Sequence, residues 1–287
     1  MKEPFLYLDH VSYKYGDGTP ALSEITISIE HGRKIALLGN NGAGKSTLLC
    51  LLNGIIKPSK GCLYYKGRKL SHTRKEIRQL RQKVGIVFQN SDSQLFSSSV
   101  YEDIAFGPRN LGLDPQEMDR RVQLAMELTE TEELKEKPPH LLSIGQKKRV
   151  AIAGVAAMHP ELLVLDEPFA GLDPYYQRKI GMLLEKFSEQ SKTILLSTHD
   201  VDFAYEWADE IILLHNGRLL FQGTPKEVFR KRDSIEKCHL QMPWILEIFD
   251  RLQQTDKESY KHIPGSKEEL FDMMKATGKG RKAEILF

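Results

Sequence analysis

The stretch GNNGAGKST has the residue types that bind phosphate groups. Its glycines allow backbone N–H groups to converge on phosphate oxygens, and a helix that starts within it would add a partial positive charge. A lysine in such a loop reaches the β- and γ-phosphates, and the serine after it binds Mg²⁺. The spacing therefore predicts a site for a nucleoside triphosphate and Mg²⁺. The predicted phosphate-binding residues are Gly39, Asn40, Asn41, Gly42, Ala43, Gly44, Lys45, Ser46 and Thr47, with Ser46 as the Mg²⁺ ligand.

Two adjacent acidic residues follow an apolar run farther along the chain. Residues 162–165 predict a buried strand, and Asp166 and Glu167 stand at its end. Two carboxylates at a buried strand end are unfavourable unless a cation lies nearby. Asp166 fits the Mg²⁺ partner of a phosphate-binding loop, and Glu167 fits a general base that orients an attacking water. Solvated charges at a strand exit are the alternative interpretation.

The elements that must position these residues are visible in the apolar pattern. Short strand-like runs alternate with segments of helical pattern, which predicts an α/β core with a parallel sheet. A mostly helical block from about 95 to 158 interrupts this alternation, with Pro115 opening one of its helices. The strand-like runs of the core cover residues 35–38, 84–88, 162–165, 193–196 and 211–214.

The two ends of the chain differ from this core. Apolar residues at 5–8 and the alternation over 25–29 predict strands before the phosphate-binding loop. Residues 218–222 predict an edge strand in a hairpin. Beyond about residue 236 the pattern changes, so we expect a domain over residues 1–235 and a small, α-rich C-terminal appendage over 236–287 that could serve in dimerisation.

Composition excludes several classes of protein. The 287 residues carry 41 Lys and Arg against 39 Asp and Glu, a formal net charge of +2, which argues against a polybasic nucleic-acid coat. Apolar runs do not approach the roughly 18 residues of a membrane span, and the first residues lack an apolar signal segment. The 3 cysteines form no CxxC pair. We therefore expect a cytosolic chain whose membrane role, if any, comes through a partner.

A third motif makes the pattern specific. Residues 142–146, LSIGQ, resemble the signature L-S-G-G-Q of the ATP-binding-cassette (ABC) ATPases, with Ile144 in place of a glycine. Ser143 is also a good N-cap, so a capped helix start is the alternative. The order of loop, signature and D-E strand favours the ABC resemblance. It implies a P-loop core with an antiparallel N-terminal β-subdomain and an inserted helical subdomain, and it implies ATP and Mg²⁺. Signature residues that would act on a partner's ATP are Ser143, Gly145 and Gln146.

Four single residues match other positions of the ABC family. Gln89 resembles the Q-loop glutamine near Mg²⁺, and Asp173 resembles the D-loop aspartate that faces the other subunit. His199 resembles the switch histidine near the γ-phosphate, although a helix-capping role is the alternative. Tyr15 resembles the aromatic residue that stacks on adenine, and an ordinary strand tyrosine is its alternative. The resemblance covers residues from about 4 to 235.

One segment narrows the family further. Residues 88–96, 101–108 and 110–113 are similar to energy-coupling-factor (ECF) transporter ATPases. The turn at 16–19 and the run 146–154 look most like the cobalt-type members, and nickel and vitamin transporters remain open. The resemblance implies a homodimer or a heterodimer with a sister ATPase, on the cytoplasmic face of the cell membrane. It also implies an integral coupling subunit and a separate substrate-binding membrane subunit. Predicted walls of a groove for the membrane partner are Leu95, Phe96, Ile104 and Phe106, with internal packing as the alternative.

Two other functions compete with a transport motor. A soluble ABC ATPase acting on nucleic acid is disfavoured by the single cassette, the absence of a heptad run and the balanced charge. A small-molecule P-loop kinase does not explain the signature, Glu167 and His199 together. We expect no nucleic-acid partner.

Overall fold

Two β-sheets organise the chain in its computed structural model, which describes residues 3–256 and 260–276. The strands are β1 Leu6–Lys14, β2 Pro20–Ile29, β3 Lys34–Leu38, β4 Lys60–Tyr65, β5 Arg68–Lys69, β6 Val84–Val87, β7 Leu162–Asp166, β8 Thr193–Ser197, β9 Glu210–His215 and β10 Arg218–Gly223. The helices are α1 Lys45–Leu52, α2 Arg74–Lys83, α3 Val100–Asn110, α4 Pro115–Thr129, α5 Ile144–Ala156, α6 Pro174–Glu189, α7 Val201–Trp207, α8 Pro225–Phe229, α9 Arg232–Lys237, α10 Trp244–Thr255 and α11 Lys267–Ala276.

The larger sheet has six strands in the order β10-β9-β3-β8-β7-β6. Its strands pair in parallel except β9 and β10, which form an antiparallel hairpin at the edge. The ends of β3, β8 and β7 therefore lie side by side at one edge of the sheet. Since the carboxyl edge of a parallel sheet is where ligands bind in open α/β folds, this edge is the natural place for a site.

Both faces of this sheet are covered, which explains why its strands are almost continuously apolar. Ile35 and Leu37 share one core with α1 and the smaller sheet. Ala36 and Leu38 belong to the other core, with α3 to α7. Alternate residues of one strand thus stabilise opposite layers of the molecule.

The smaller sheet is antiparallel, with the order β2-β1-β4-β5. In β1 and β2, alternate residues such as Leu6, Leu8, Ile27 and Ile29 are buried, and their neighbours are partly exposed. The sheet packs this apolar face on the core that α1 shares. The predicted antiparallel N-terminal β-subdomain is therefore present beside the parallel sheet, as the predicted fold class requires.

The C-terminal segment packs onto the main core. Tyr260 and Leu270 are fully buried within it. The hydroxyl of Tyr205 on α7 donates to the carbonyl of Pro264 at 2.6 Å, and Nζ of Lys226 donates to the carbonyl of Ile263 at 2.7 Å. A role of residues 236–287 in dimerisation stays a prediction, and residues 257–259 and 277–287 of that range lie outside the described residues.

Within the described part of the chain, no helix combines the length and the apolar character needed to cross a bilayer.

Candidate functional site

The predicted phosphate-binding loop, residues 39–47, connects the end of β3 to the start of α1; we call it the cradle. Its backbone geometry requires glycine at both ends of the turn. Gly39 and Gly44 have φ values of +155° and +98°. A Cβ atom on Gly39 would lie 2.5 Å from the carbonyl oxygen of Leu214, and one on Gly44 would lie 2.8 Å from that of Ala21. The close approach of β9 and β2 therefore leaves no room for a side chain.

A cavity of about 890 Å³ opens over the cradle. Its size is within the usual range for small-molecule sites. All nine cradle residues line it, and so do residues from the ends of the neighbouring strands. Among the residues predicted from the sequence, the cavity also brings together Tyr15, Gln89, Asp166, Glu167 and His199.

Lys45 is the buried cation of this cavity. Its Nζ atom donates to the carbonyl of Gly39 at 2.8 Å and lies 3.7 Å from Oε1 of Glu167. A buried ammonium group beside a glycine-rich loop that leads into a helix makes the cavity suitable for a polyphosphate. The loop thus has the geometry that the predicted anion site requires.

Glu167 follows β7 with a φ of +44°, an uncommon left-handed conformation for a residue with a side chain. Its backbone N–H donates to Oγ of Ser197 at 2.9 Å, which fixes this conformation between β7 and β8. Its Oε2 atom lies 3.0 Å from Nδ1 of His199. The carboxylate is therefore oriented by Lys45 on one oxygen and by His199 on the other, which suits a general base.

Asp166 is buried at the end of β7, and one of its oxygens, Oδ1, accepts from Oγ of Ser197 at 2.6 Å. Ser46 and Gln89 line the same cavity. Carboxylate, hydroxyl and amide oxygens are hard donors of the kind that Mg²⁺ binds. The three residues fit a Mg²⁺ ion that is also bound by phosphate.

Tyr15 lines the cavity beside Thr47, the last residue of the cradle, and Thr19, Pro20 and Ala21 also contribute to the lining. Its hydroxyl is 2.8 Å from Oγ1 of Thr47, and its ring meets Tyr13 edge to face at 5.3 Å. An exposed aromatic face beside the cradle is available for stacking. Tyr13 does not line the cavity, so the geometry favours Tyr15 for the adenine contact.

The signature residues lie apart from this cavity. Ser143 caps α5, and Gln146 donates its backbone N–H to Oγ of Ser143 while its side chain accepts from the N–H of Ser143 at 2.9 Å. Gly145 packs against the ring of Tyr176, where a Cβ atom would approach to 2.8 Å. Asp173 caps α6 by accepting from the N–H of Tyr176. Within one chain, Ser143, Gly145, Gln146 and Asp173 are absent from the cavity lining.

A second cavity, of about 760 Å³, lies between α2 and the helical block. Leu95, Phe96 and Phe106 line it, with the rings of Phe96 and Phe106 edge to face at 5.0 Å. Ile104 does not line this groove: it is fully buried in the main core, so its prediction as a groove wall is wrong. Ile104 and Phe106 are two residues apart on α3 and therefore face different directions.

Lys148, which the sequence analysis did not select, connects α5 to the site. This lysine is 1% exposed, and its Nζ donates to the carbonyl of Gln89 at 2.6 Å. Burial lowers the pKa of Lys148, and the carboxylates of Asp166 and Glu167 oppose that shift. Its spacing of three and four residues from Gly145 and Ile152, both buried, was the available signal.

The loop after β3, the acidic end of β7 and the histidine after β8 together define a P-loop nucleotide-binding protein. The ABC transporter family model matches residues 22–170. An energy-coupling factor transporter ATP-binding protein of Methanocaldococcus jannaschii is 46% identical over 244 residues, which are 85% of this chain and 88% of the relative. Two other relatives, at 46% and 44% identity, are longer, and the chain spans 58% and 66% of their length.

Solved structures agree with these matches. CbiO1 of Clostridium perfringens, described as part of the ABC transporter complex CbiONQ, has a TM-score of 0.73 at 44% identity and covers 86% of this chain and 99% of its own. A dimeric ATP-binding cassette bound to ADP and phosphate has a TM-score of 0.69 at 28% identity and covers 77% of this chain and 98% of its own. The chain belongs to the ABC transporter family and, within it, to the ATP-binding proteins of energy-coupling factor transporters.

Proposed function

We propose that the chain is the ATP-hydrolysing subunit of an ECF importer, and that this importer takes up cobalt ions. The arrangement of Glu167 between Lys45 and His199 inside the cradle cavity carries the enzymatic part of the proposal. The similarity to a CbiONQ component supports the transport part. The cobalt assignment depends on the sequence resemblance, and nickel or a vitamin are the alternative substrates.

In this proposal the chain's residues divide the chemistry among them. Tyr15 stacks on adenine, the cradle N–H groups and Lys45 bind the phosphates, and Glu167 accepts the proton of the attacking water. Mg²⁺ held by Ser46, Gln89 and Asp166 would neutralise charge on the phosphates. His199 positions Glu167 and lies near the terminal phosphate.

The signature residues complete the site of another chain. Because Ser143 stands at a helix N-terminus away from its own cradle, it would bind the ATP held by a partner ATPase. Two ATP molecules then lie between two chains, and Asp173 contacts across the interface. Closing and reopening of this pair would move an integral coupling subunit docked at Leu95, Phe96 and Phe106. We propose that the chain works there as a peripheral protein on the cytoplasmic face of the membrane.

The hydrolytic role is tested with Glu167→Gln and Lys45→Ala. Glu167→Gln keeps the cradle but removes the base, so we expect ATP binding near that of the wild type and ATP turnover lower by about 10²–10⁴-fold. Lys45→Ala removes a cation from the phosphates and should weaken ATP binding itself. Calorimetry and phosphate release measure the two effects.

The exposed Glu189 at the end of α6 provides a matched control, because Glu189→Gln makes the same chemical change far from the cradle. We expect wild-type turnover in this control. Turnover of Glu167→Gln within about twofold of the wild type would exclude Glu167 as the base.

A further inference from the structure

The cradle cavity has a wall that comes from the C-terminal part of the chain. His239, Leu240 and Gln241, in the connection between α9 and α10, line the same cavity as Lys45, Glu167 and the cradle. This segment follows residue 236, where the sequence pattern predicts the start of an appendage. Its position makes the C-terminal segment part of the site.

Two contacts, one at each end, fix the position of this segment. At its start, Sγ of Cys238 lies 3.7 Å from the carbonyl oxygen of Leu214, the same oxygen that closely approaches Gly39 at the beginning of the cradle. At its end, the N–H of Trp244 donates to Oδ1 of Asp202 at 2.8 Å. Asp202 belongs to α7, which begins two residues after His199.

The segment therefore runs from the first residue of the cradle to the turn that holds His199. The part of the cavity around Tyr15, where adenine would lie, is formed by the turn between β1 and β2 and by the first residues of β2. The wall thus stands beside the end of the cavity where the terminal phosphate of a triphosphate would lie.

The side chains of the wall suit such a ligand. Leu240 packs against the main core, while His239 and Gln241 on either side of it are exposed. His239 has a φ of +53°, which turns the chain at this point. An imidazole N–H and a carboxamide N–H are both donors for phosphate oxygens, and hydrogen bonds to a charged acceptor are the stronger kind.

We propose that His239 and Gln241 donate hydrogen bonds to the terminal phosphate group of the bound nucleoside triphosphate; this rests on the proposed function of the cradle. The C-terminal segment then contacts ATP but not the shorter ADP. Through Trp244 and Asp202, the same contact connects the state of the nucleotide to α10.

The experiment compares two nucleotides. Calorimetry measures the binding of Mg²⁺ with ADP, and of Mg²⁺ with the β,γ-imido analogue of ATP, to the full chain and to His239→Ala and Gln241→Ala. We expect each variant to lose about tenfold in affinity for the analogue, the size of one hydrogen bond to a charged group, and to bind ADP within about twofold of the wild type.

Two exposed residues of the same C-terminal segment, His262 and Gln254, provide matched controls that do not line the cavity. We expect His262→Ala and Gln254→Ala to bind both nucleotides as the wild type does. Equal affinities in all variants, or equal losses for ADP and the analogue, would overturn the terminal-phosphate contact alone. Failure of the wild-type chain to bind either nucleotide would overturn the proposed function itself.

Discussion

Lys148 shows how one buried charge can connect two motifs. A buried ammonium group is unfavourable unless polar groups surround it. Here the carbonyls of Gln89 and Phe88, at 2.6 and 3.5 Å from Nζ, provide that environment. Lys148 stands on the first turns of α5, directly behind the signature. It is therefore a positioning residue between the signature helix and the backbone of Gln89.

Lys148→Met tests this positioning role. Methionine has a similar length but no charge, so the carbonyl of Gln89 loses its donor and the variant should be destabilised by about 1–3 kcal/mol. With Gln89 less well oriented, we expect kcat for ATP hydrolysis to fall about tenfold and KM for ATP to change less than twofold. Steady-state kinetics and thermal unfolding measure these effects.

The neighbouring lysine is the control. Lys147 makes a 2.7 Å ion pair with Asp92, whose side chain is largely exposed, and such pairs contribute little. Lys147→Met should therefore keep kcat within about twofold of the wild type. If both variants lowered kcat equally, the role of Lys148 would not be specific.

Single residues differ in how well the sequence predicts their positions. Lys45, Asp166 and Glu167 were predictable because they stand at fixed offsets from a strand end, and the structure brings them to one cavity. His239 could not be found this way, and for Lys148 the helical spacing indicated burial but not the contact with Gln89. Their positions depend on contacts between segments that are far apart in the chain, and a local pattern does not contain such contacts.

At the scale of elements, α5 has a complete capping box formed by Ser143 and Gln146. The cap satisfies the backbone N–H groups of Ser143 and Gln146 without any bound anion. Ile144 within this turn is 63% exposed, so its side chain adds little packing. Ser143 is thus an N-cap, as in the alternative interpretation, and its role in binding a partner's phosphate stays a prediction with which the cap is compatible.

Substitutions of Ser143 and Ile144, at the start of this helix, should have different effects on ATPase activity. Ile144→Gly restores the usual signature glycine, costs at most about 1 kcal/mol of helix stability and should keep most ATPase activity. Ser143→Arg places a bulky cation where a partner's phosphate would bind and should abolish activity. Equal damage in the two variants, measured by phosphate release, would contradict the roles given to these residues.

The positions of helices and strands in the sequence were largely predictable. Which of their side chains are exposed was less predictable. The helix that starts within the phosphate-binding loop, the start of α4 at Pro115 and the helices α10 and α11 after residue 236 agree with the predictions. The prediction that Ile104 lines the groove was wrong because an apolar residue within a helix can face either the core or a surface groove. Only the packing of α3 against α5 decides between these faces.

At the scale of the molecule, the groove and the cradle are separate surfaces. Phe96 is 67% exposed in the groove and has no group useful for phosphate chemistry. Phe96→Asp would place a charge in the apolar contact that we propose with a membrane partner. We expect the isolated variant to fold and bind ATP like the wild type, but to fail in co-purification with the membrane subunits.

Phe271→Asp on α11 is the matched control, because Phe271 is also exposed and does not line the groove. It should co-purify normally. Unfolding of Phe96→Asp, seen by circular dichroism, would support the internal-packing alternative. The membrane proteins recovered with the wild type would also identify the transported substrate.

The assembly predicts an ATP-dependent pair of chains. In Glu167→Gln the ATP is not consumed, so ATP should stabilise the closed pair by mass action. Light scattering should then detect a dimer, or a more compact dimer if the C-terminal segment already joins two chains. Adding Ser143→Arg should remove this response while ATP still binds. A monomer with ATP fully bound would exclude a homodimeric sandwich and leave a sister ATPase as the partner.

The hairpin between β9 and β10 determines when the cradle can be completed during synthesis. Gly217, in that hairpin, accepts from the N–H of Ser23 at 2.8 Å and donates to the carbonyl of Ala43 at 3.0 Å. A ribosome therefore makes the entire cradle long before it makes the residue that joins it to β2. Until residue 217 has left the exit tunnel, the nascent chain lacks the two hydrogen bonds that Gly217 makes with Ser23 and Ala43. ATP binding to the complete cradle can therefore favour folding only late in translation.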